Sequence, residues 1–236
     1  MTLTSSSNIL CLEIDGNAFM SPTLVAEVNK VCDHVEDAGG SSAVMLHVKS
    51  MPNRVEDRYW PGDAGDIDVH LVSRWEQGLR RIERLAAVTI AAAQGVCGGV
   101  ALEVLLASDY RLVSTDLCIR LLGPGGVWPG MAIHRLANQV GIARSRRLAL
   151  FGEDVSAAWA AELGLADEIV DDVKARVSSL VGSLARSAGE DIAVRRRLLL
   201  EATAATFEDA LGAHLAACDR VMRHLKATDA ATDTTQ

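Results

Sequence analysis

The chain has 236 residues, of which 49% are apolar and 23% charged, and its formal net charge is −8. This length suits one domain, or one core with a small appended element, and the apolar share allows a sizeable core. The acidic balance argues against a general nucleic-acid surface, because phosphate binding depends on clustered Lys and Arg. For the one basic cluster, Arg144, Arg146 and Arg147, a solvated helix face is favoured over a phosphate contact.

Cysteine and histidine usage narrows the class of protein further. The five Cys are odd in number and far apart, and they form no CxxC motif, which favours small buried thiols in a reducing cytoplasm over a disulfide framework. The six His show no metal-ligand spacing, so no metal is expected. The start of the chain lacks a basic segment followed by an apolar run, so no signal peptide is expected. The most apolar stretch, residues 85–107, is interrupted by Gln94, three Gly and Glu103, which indicates a buried strand, turn and helix rather than a membrane span.

Hydrophobic periodicity predicts alternating strands and helices along the chain. Strands are predicted over residues 9–14, 43–48, 88–93, 110–113, 118–121 and 168–170. Helices are predicted from Ser21–Pro22 to Gly39–Gly40, then over residues 71–85, 100–107, 131–140, 143–150 and 156–163, with further helices to about residue 225. This order predicts βαβ units and a mostly parallel sheet, hence an α/β fold, with a helical last third as a separate layer or a partner-contacting subdomain.

Two stretches rich in Gly and Pro mark candidate functional loops. Residues 49–68 form the first, and loops of that length within a domain are commonly functional. Residues 123–130 form the second.

The third predicted strand runs through Gly95, Gly98 and Gly99 into a helix. Gly permits close approach, and the first N–H groups of a helix lack internal partners and carry partial positive charge, so such a turn can receive a negative oxygen. A P-loop would need Gly-Lys-Ser/Thr and a dinucleotide fingerprint would need Gly-x-Gly-x-x-Gly, and neither is present here. An oxyanion hole for a thioester enolate and a tight crossover with Gly used only for packing both remain, and spacing alone favours the crossover.

The segment from Val88 to Val113 resembles the central signature of the enoyl-CoA hydratase/isomerase (crotonase) family. Gln94–Gly95 takes the place of the family's Asn-Gly, and Ser108–Asp109 takes the place of its Cys-Asp. Three further segments resemble the family in the same order: Ala64–Ile67, which is one residue shorter than the family's Ala-Gly-Ala-Asp-Ile, then Trp128–Leu136 and Ala143–Gly164. The resemblance covers about residues 9–172.

The resemblance implies a crotonase (ClpP-like) fold of repeated ββα units with a C-terminal helical trimerisation region. The expected division is a core over residues 1–172, a helical region over 173–225 and a disordered tail over 226–236, whose residues have nothing to bury. The resemblance also implies a homotrimer or hexamer in the cytoplasm that acts on an acyl-CoA, with coenzyme A as part of the substrate and no separate cofactor, nucleic acid or membrane partner.

Carried over one position at a time, the resemblance implies an oxyanion hole made by the backbone N–H groups of Gly65 and Val100. Val in place of the family's usual Gly narrows the room beside the thioester but leaves the N–H in place. Glu103 matches one of the two catalytic Glu of family hydratases, although a structural carboxyl satisfied by an ion pair is an equally good interpretation. The implied substrate-binding residues are Ala64, Asp66, Gly99, Trp128, Pro129 and Gly130.

The chain departs from the family at the second catalytic Glu, because residues 121–126 contain no carboxylate. A two-carboxylate hydration is therefore in doubt. Asp63, Asp66, Asp68 or His70 are candidate substitutes, although a loop Asp is more often a turn residue.

This one-Glu pattern resembles the accessory crotonase of the pathway to dihydroxyphenylacetyl-CoA, the precursor of dihydroxyphenylglycine-containing antibiotics. The first hypothesis is an enzyme that hydrates or dehydrates a polyketide-derived acyl-CoA. The second is a catalytically reduced accessory protein that activates or stabilises a partner such as a type III polyketide synthase. A third, weaker hypothesis is an isomerase or thioesterase with a loop Asp as its base.

Overall fold

The structure is a computed structural model that describes residues 3–6, 9–16, 19–38, 43–49, 67–123, 126–128, 130–184 and 190–233. The strands are β1 (Leu3–Ser6), β2 (Ile9–Asp15), β3 (Ala43–Lys49), β4 (Val88–Gln94), β5 (Val96–Gly98), β6 (Tyr110–Ser114), β7 (Cys118–Arg120), β8 (Leu122–Gly123), β9 (Gly126–Val127), β10 (Val155–Ser156) and β11 (Glu168–Val170). The helices are α1 (Pro22–Asp37), α2 (Val69–Ile82), α3 (Gly99–Leu106), α4 (Met131–Val140), α5 (Ile142–Phe151), α6 (Ala157–Leu163), α7 (Val173–Leu184), α8 (Glu190–Glu201) and α9 (Phe207–Asp233).

The main sheet has six strands in the order β1-β2-β3-β4-β6-β11. β1 pairs with β2 antiparallel, and the other four pairs are parallel. β4 lies inside this sheet, and its residues 88–93 are all buried, as expected for a strand that is covered on both faces. A second sheet has the order β10-β7-β5, and β8 pairs with β9 in a short antiparallel ribbon. The predicted α/β fold with a mostly parallel sheet is confirmed.

Alternating side chains of the strands cover the two faces of the main sheet. One face packs against α1, α2 and α3, where Trp75 is among the largest fully buried side chains. The other face packs against Val173, Val177 and Leu180 of α7. The candidate site is built on the first face, because α3 lies there.

Side-chain caps fix where α1 and α2 begin. Ser21 accepts a hydrogen bond from the backbone N–H of Leu24 at 3.1 Å, and Pro22 follows it at the first helical position, as the sequence predicts. Asp68 accepts a hydrogen bond from the backbone N–H of Leu71 at 2.7 Å. Asp68 therefore caps α2, which is the turn role rather than a catalytic one.

The crossover from β4 to α3 includes a short strand that periodicity did not predict. Gly95 has a φ of 69° and turns the chain out of the main sheet, so that β5 joins β7 in the second sheet. A Cβ at Gly98 would lie 2.8 Å from the backbone oxygen of Arg120, so close packing of β5 against β7 requires Gly there. Gly99 has a φ of 51° and leads directly into α3.

The motif Ser108–Asp109 closes the other end of α3. The Asp109 side chain accepts hydrogen bonds from the backbone N–H and the hydroxyl of Thr89, at 2.8 and 2.9 Å. It thereby ties the turn after α3 to the start of β4, and the structure gives this motif a role in folding.

The chain forms two compact units, Met1–Ile192 and Ala193–Gln236. The sequence placed α7 in a helical region that starts at residue 173, but α7 packs on the sheet and belongs to the first unit. α9 continues to Asp233, through residues for which the sequence predicts a frayed tail. Alanine is the best helix former, and this stretch of the sequence contains Ala227, Ala230 and Ala231. Among the described residues, no helix is both long and apolar enough to cross a membrane.

A buried ion-pair network joins α2 to α4. The Arg135 guanidinium lies 3.0 Å from a carboxylate oxygen of Glu76 and 2.9 Å from one of Glu83, and its side chain is only 6% exposed. Arg80 also pairs with Glu83, at 3.0 Å, but its side chain is 51% exposed. Since removing one member of a buried pair strands the remaining charges, Arg135 is the member on which the packing of α2 against α4 depends.

We expect Arg135→Met to lower the free energy of unfolding by about 3 kcal/mol, because two carboxylates lose their buried partner. Arg80→Met is the matched control, since it removes an exposed cation from the same Glu83; it should cost less than about 1 kcal/mol. Urea unfolding at pH 7 measures both values. Equal losses in the two variants would contradict the importance given to burial.

Candidate functional site

Glu103 lies in the middle of α3, a helix whose other residues from Val100 to Leu106 are all buried and apolar. Its side chain is 2% exposed, although an ionised carboxylate loses a large hydration energy when it leaves water. A carboxyl in this position must be held by specific donors.

One hydrogen bond holds the Glu103 carboxyl: the indole N–H of Trp75 on α2 donates to Oε2 at 2.5 Å. The backbone N–H of Ala132, in the first turn of α4, adds a smaller effect that favours the ionised carboxyl. First-turn N–H groups have no partner inside their own helix and carry partial positive charge, so the start of α4 favours a carboxylate at this point.

Gly130, the last residue of the second glycine-rich loop, lies beside the same carboxyl. A Cβ built at Gly130 would lie 2.8 Å from Oε1 of Glu103 and 2.5 Å from Nε1 of Trp128. The site therefore has room for a hydrogen atom at position 130 and for nothing larger. Of the predicted site residues, the structure brings together Glu103, Trp128 and Gly130.

The pKa of Glu103 is raised from 4.5 to about 7. Burial is the largest cause and the nearby charge of Glu76 acts in the same direction, while the Trp75 hydrogen bond, Arg135 and the Ala132 N–H oppose them. Burial also raises the pKa of Glu76, although Arg135 lies beside it. A carboxyl with a pKa near 7 can both take and give a proton at neutral pH, which is the property that general acid–base catalysis needs.

Val100 and Gly99 stand at the start of α3. Val100 is the second residue of the helix, where backbone N–H groups point away from the helix and lack intrahelical partners. Glu103 follows one turn later, so a group bound at the start of α3 lies close to the turn that carries this carboxyl. The other predicted oxyanion donor, Gly65, lies outside the described residues, as do Ala64, Asp66, Asp63 and Pro129. The pairing of the two N–H groups stays a prediction.

Of the substitutes considered for the missing carboxylate, the two that the structure describes, Asp68 and His70, do not join Glu103. Asp68 caps α2, and His70 is exposed on that helix. In the segment where the family has its second Glu, β8 begins at Leu122.

The basic cluster is a solvated helix face, as expected. Arg147 pairs with Glu153 and lies 4.7 Å from the ring centre of Trp159, while Arg144 and Arg146 are exposed.

Three residues of the site were not predicted from sequence in their present role: Trp75, Glu76 and Arg135. Trp75 fits the apolar period of α2, so the pattern marks it as core and gives no sign of its polar partner 28 residues away. Arg135 follows the Pro-Gly loop in a motif of the resemblance, but nothing local indicates that two Glu of α2 pair with it. Within the described ranges, no group of three His, Cys, Asp or Glu side chains is placed to hold a metal ion.

The chain is similar to known proteins in sequence. The family model for enoyl-CoA hydratase/isomerase matches residues 67–235. An enoyl-CoA hydratase of Amycolatopsis orientalis is 42% identical over 215 residues, which cover 91% of this chain and 96% of that protein.

Solved structures share the fold. An enoyl-CoA hydratase/isomerase family protein from Silicibacter pomeroyi superposes with a TM-score of 0.77 at 18% identity, over 94% of this chain and 99% of that one. A protein from Thermobifida fusca, crystallised in complex with CoA, superposes with a TM-score of 0.74 at 20% identity, over 96% of this chain and 94% of that one. These structural matches confirm the crotonase fold. Because the family model spans most of the chain and the Amycolatopsis relative matches it over nearly its whole length, the chain belongs to the enoyl-CoA hydratase/isomerase family.

Proposed function

Within the acyl-CoA chemistry of this family, we propose that the protein hydrates or dehydrates an acyl-CoA with Glu103 as its only catalytic carboxylate. The observation that supports this is the buried Glu103 carboxyl, with a pKa near 7, which accepts a hydrogen bond from Trp75 of α2 and lies one turn after the start of α3. In the proposal, the N–H groups of Val100 and Gly65 bind the thioester oxygen as it becomes an enolate oxygen. Gly99, Trp128 and Gly130, together with Ala64, Asp66 and Pro129, line the acyl-CoA site.

One carboxylate suffices for a balanced reaction. In dehydration, ionised Glu103 takes the proton from the α-carbon of a 3-hydroxyacyl-CoA, and the electron pair moves into the enolate. The enolate then expels the β-hydroxyl, to which Glu103 returns the proton, so that water leaves and the carboxylate is regenerated. Hydration is the reverse, and both directions start from the ionised form.

The acyl group of the substrate is the next feature of the proposal. A chain with one family Glu is similar in this respect to the accessory crotonase of the dihydroxyphenylacetyl-CoA pathway, so we propose a polyketide-derived acyl-CoA as substrate. The absence of a carboxylate in residues 121–126 also favours a second candidate function, an accessory protein that activates or stabilises a type III polyketide synthase.

We expect Glu103→Gln to lower kcat by about 10²- to 10⁴-fold, the usual range for losing a positioned acid–base group, with little change in acyl-CoA affinity. Gln keeps the size of Glu and still accepts from Trp75. Glu162→Gln makes the same change at an exposed position of α6 and should leave kcat unaltered. Turnover of enoyl-CoA and 3-hydroxyacyl-CoA, with calorimetric binding to CoA thioesters, measures both.

The same variant separates the two functions. If Glu103→Gln stimulates a type III polyketide synthase as well as the unchanged protein does, and neither turns over any acyl-CoA, the enzyme hypothesis fails and the accessory role replaces it.

The pH profile of kcat/KM should report Glu103. Since the active form is ionised and burial raises its pKa to about 7, kcat/KM should fall as the pH drops below about 7 and level off above it. Well below pH 7, on the acidic limb of the profile, kcat/KM should fall by about tenfold per pH unit. A profile that is flat from pH 5 to pH 8, measured under initial-rate conditions, would exclude Glu103 as the titrating group.

We propose that α9 assembles the protein into a homotrimer or a hexamer. Its exposed Phe207, Leu211, Leu215, Cys218, Met222 and Leu225 follow one another at intervals of four, four, three, four and three residues, which places them along one side of the helix. An apolar stripe of this kind in water favours helix–helix association.

Light scattering of the full chain should therefore give a trimer or hexamer mass, and Leu215→Asp should lower it. Ala216→Asp places the same charge on the opposite side of α9 and should leave the mass unchanged. A monomer mass for the unchanged protein would contradict the assembly.

A further inference from the structure

The two oxygens of Glu103 have different surroundings. Oε2 accepts the indole N–H of Trp75 at 2.5 Å. Oε1 lies on the side of the glycine-rich loop, where a Cβ at Gly130 would approach it to 2.8 Å. An indole N–H can only donate, so Oε2 is an acceptor whether the carboxyl is ionised or protonated. When Glu103 is protonated, its proton therefore belongs on Oε1.

Trp75 is held rigidly enough to maintain this difference. It is fully buried in the main apolar cluster, and α2 is fixed at its start by the Asp68 cap. The ring can neither turn away nor exchange its partner for water without opening the core. Trp75 thus stabilises the ionised form of Glu103 through one oxygen and leaves the other oxygen for the chemistry.

Charged groups face Glu103 from two helices. Glu76 follows Trp75 in α2, and its negative charge disfavours ionisation of Glu103. Arg135 of α4 favours ionisation, and it also pairs with Glu76 and Glu83. Trp75 stabilises the carboxylate without carrying a charge, so replacing it by another neutral side chain leaves the surrounding charges unaltered.

We propose that Trp75 is the positioning residue that assigns the two oxygens of Glu103: the indole N–H holds Oε2, and Oε1, beside Gly130 and Trp128, takes and returns the substrate proton. This inference rests on the proposed function for its catalytic part, while the assignment of the two oxygens stands on geometry.

The decisive variant is Trp75→Phe, which keeps an aromatic ring in the core and removes the N–H. Loss of a hydrogen bond to a charged group should raise the Glu103 pKa by about one unit. The titration is followed by carbon NMR of glutamate carboxyls, with the Glu103 signal identified by its absence in Glu103→Gln. Trp159→Phe is the matched control, because Trp159 packs at the edge of the same cluster and should leave this titration unchanged.

A second measurement needs no change at Trp75. The chain has four Trp, so the Trp75 indole N–H signal can be assigned by elimination with Phe variants of the other three. In the unchanged protein this signal should move with pH at the Glu103 midpoint, and in Glu103→Gln it should not. A Trp75 signal that is insensitive to pH, or a Glu103 midpoint unmoved in folded Trp75→Phe, would overturn the proposal.

Turnover separates this inference from the proposed function. In Trp75→Phe the midpoint of the acidic limb of kcat/KM should rise by about one pH unit. At pH 7 this lowers kcat/KM about fivefold, while the plateau value at high pH should be unchanged. If both NMR results hold but Glu103→Gln turns over substrate normally, the proposed function fails and the hydrogen bond remains. If turnover requires Glu103 but its pH limb is unmoved in Trp75→Phe, the positioning role fails alone.

Discussion

The hydrogen bond between Trp75 and Glu103 is the interaction around which this side of the molecule is built. It stabilises a carboxyl on a helix that is otherwise apolar, and it joins a side chain of α2 to one of α3. The carboxyl is costly: a pKa raised from 4.5 to about 7 means that the folded state binds more protons than the unfolded chain in that range. Stability therefore falls as the pH rises through this window, by about 3 kcal/mol in total, and stays lower above it.

The ion pairs between α2 and α4 limit how far the pKa of Glu103 is raised. Arg135 compensates Glu76 and Glu83 from α4, and its charge also favours the ionised form of Glu103. The same network that fixes α4 over α3 thus limits how far burial can push the carboxyl toward its neutral form. Replacing Arg135 alone by an apolar residue would leave the negative charge of Glu76 uncompensated next to Glu103.

The fold was largely predictable, and the site was predictable in part. Hydrophobic period locates most helices and strands, since each must bury one face or both. It misses β1, β5, β8, β9 and β10, because strands of two to four residues show no clear period. It does not say that α7 covers the second face of the main sheet, because an amphipathic pattern does not identify the surface that a helix packs against. Glu103, Trp128 and Gly130 were found through the family motifs, whereas Trp75 was identified only as core, since its partner lies 28 residues away on another helix.

A single-carboxylate mechanism places a demand on Glu103 that a two-carboxylate mechanism does not. One group must be basic enough to remove a proton and acidic enough to return it to a different atom within the same turnover. A pKa near the working pH meets both conditions, and burial alone would overshoot it. Donors that favour the carboxylate therefore have to accompany the burial. Those found here, an indole N–H from α2 and a backbone N–H from the start of α4, are groups that cannot take the proton themselves, so they adjust the acidity of Glu103 without competing for its proton.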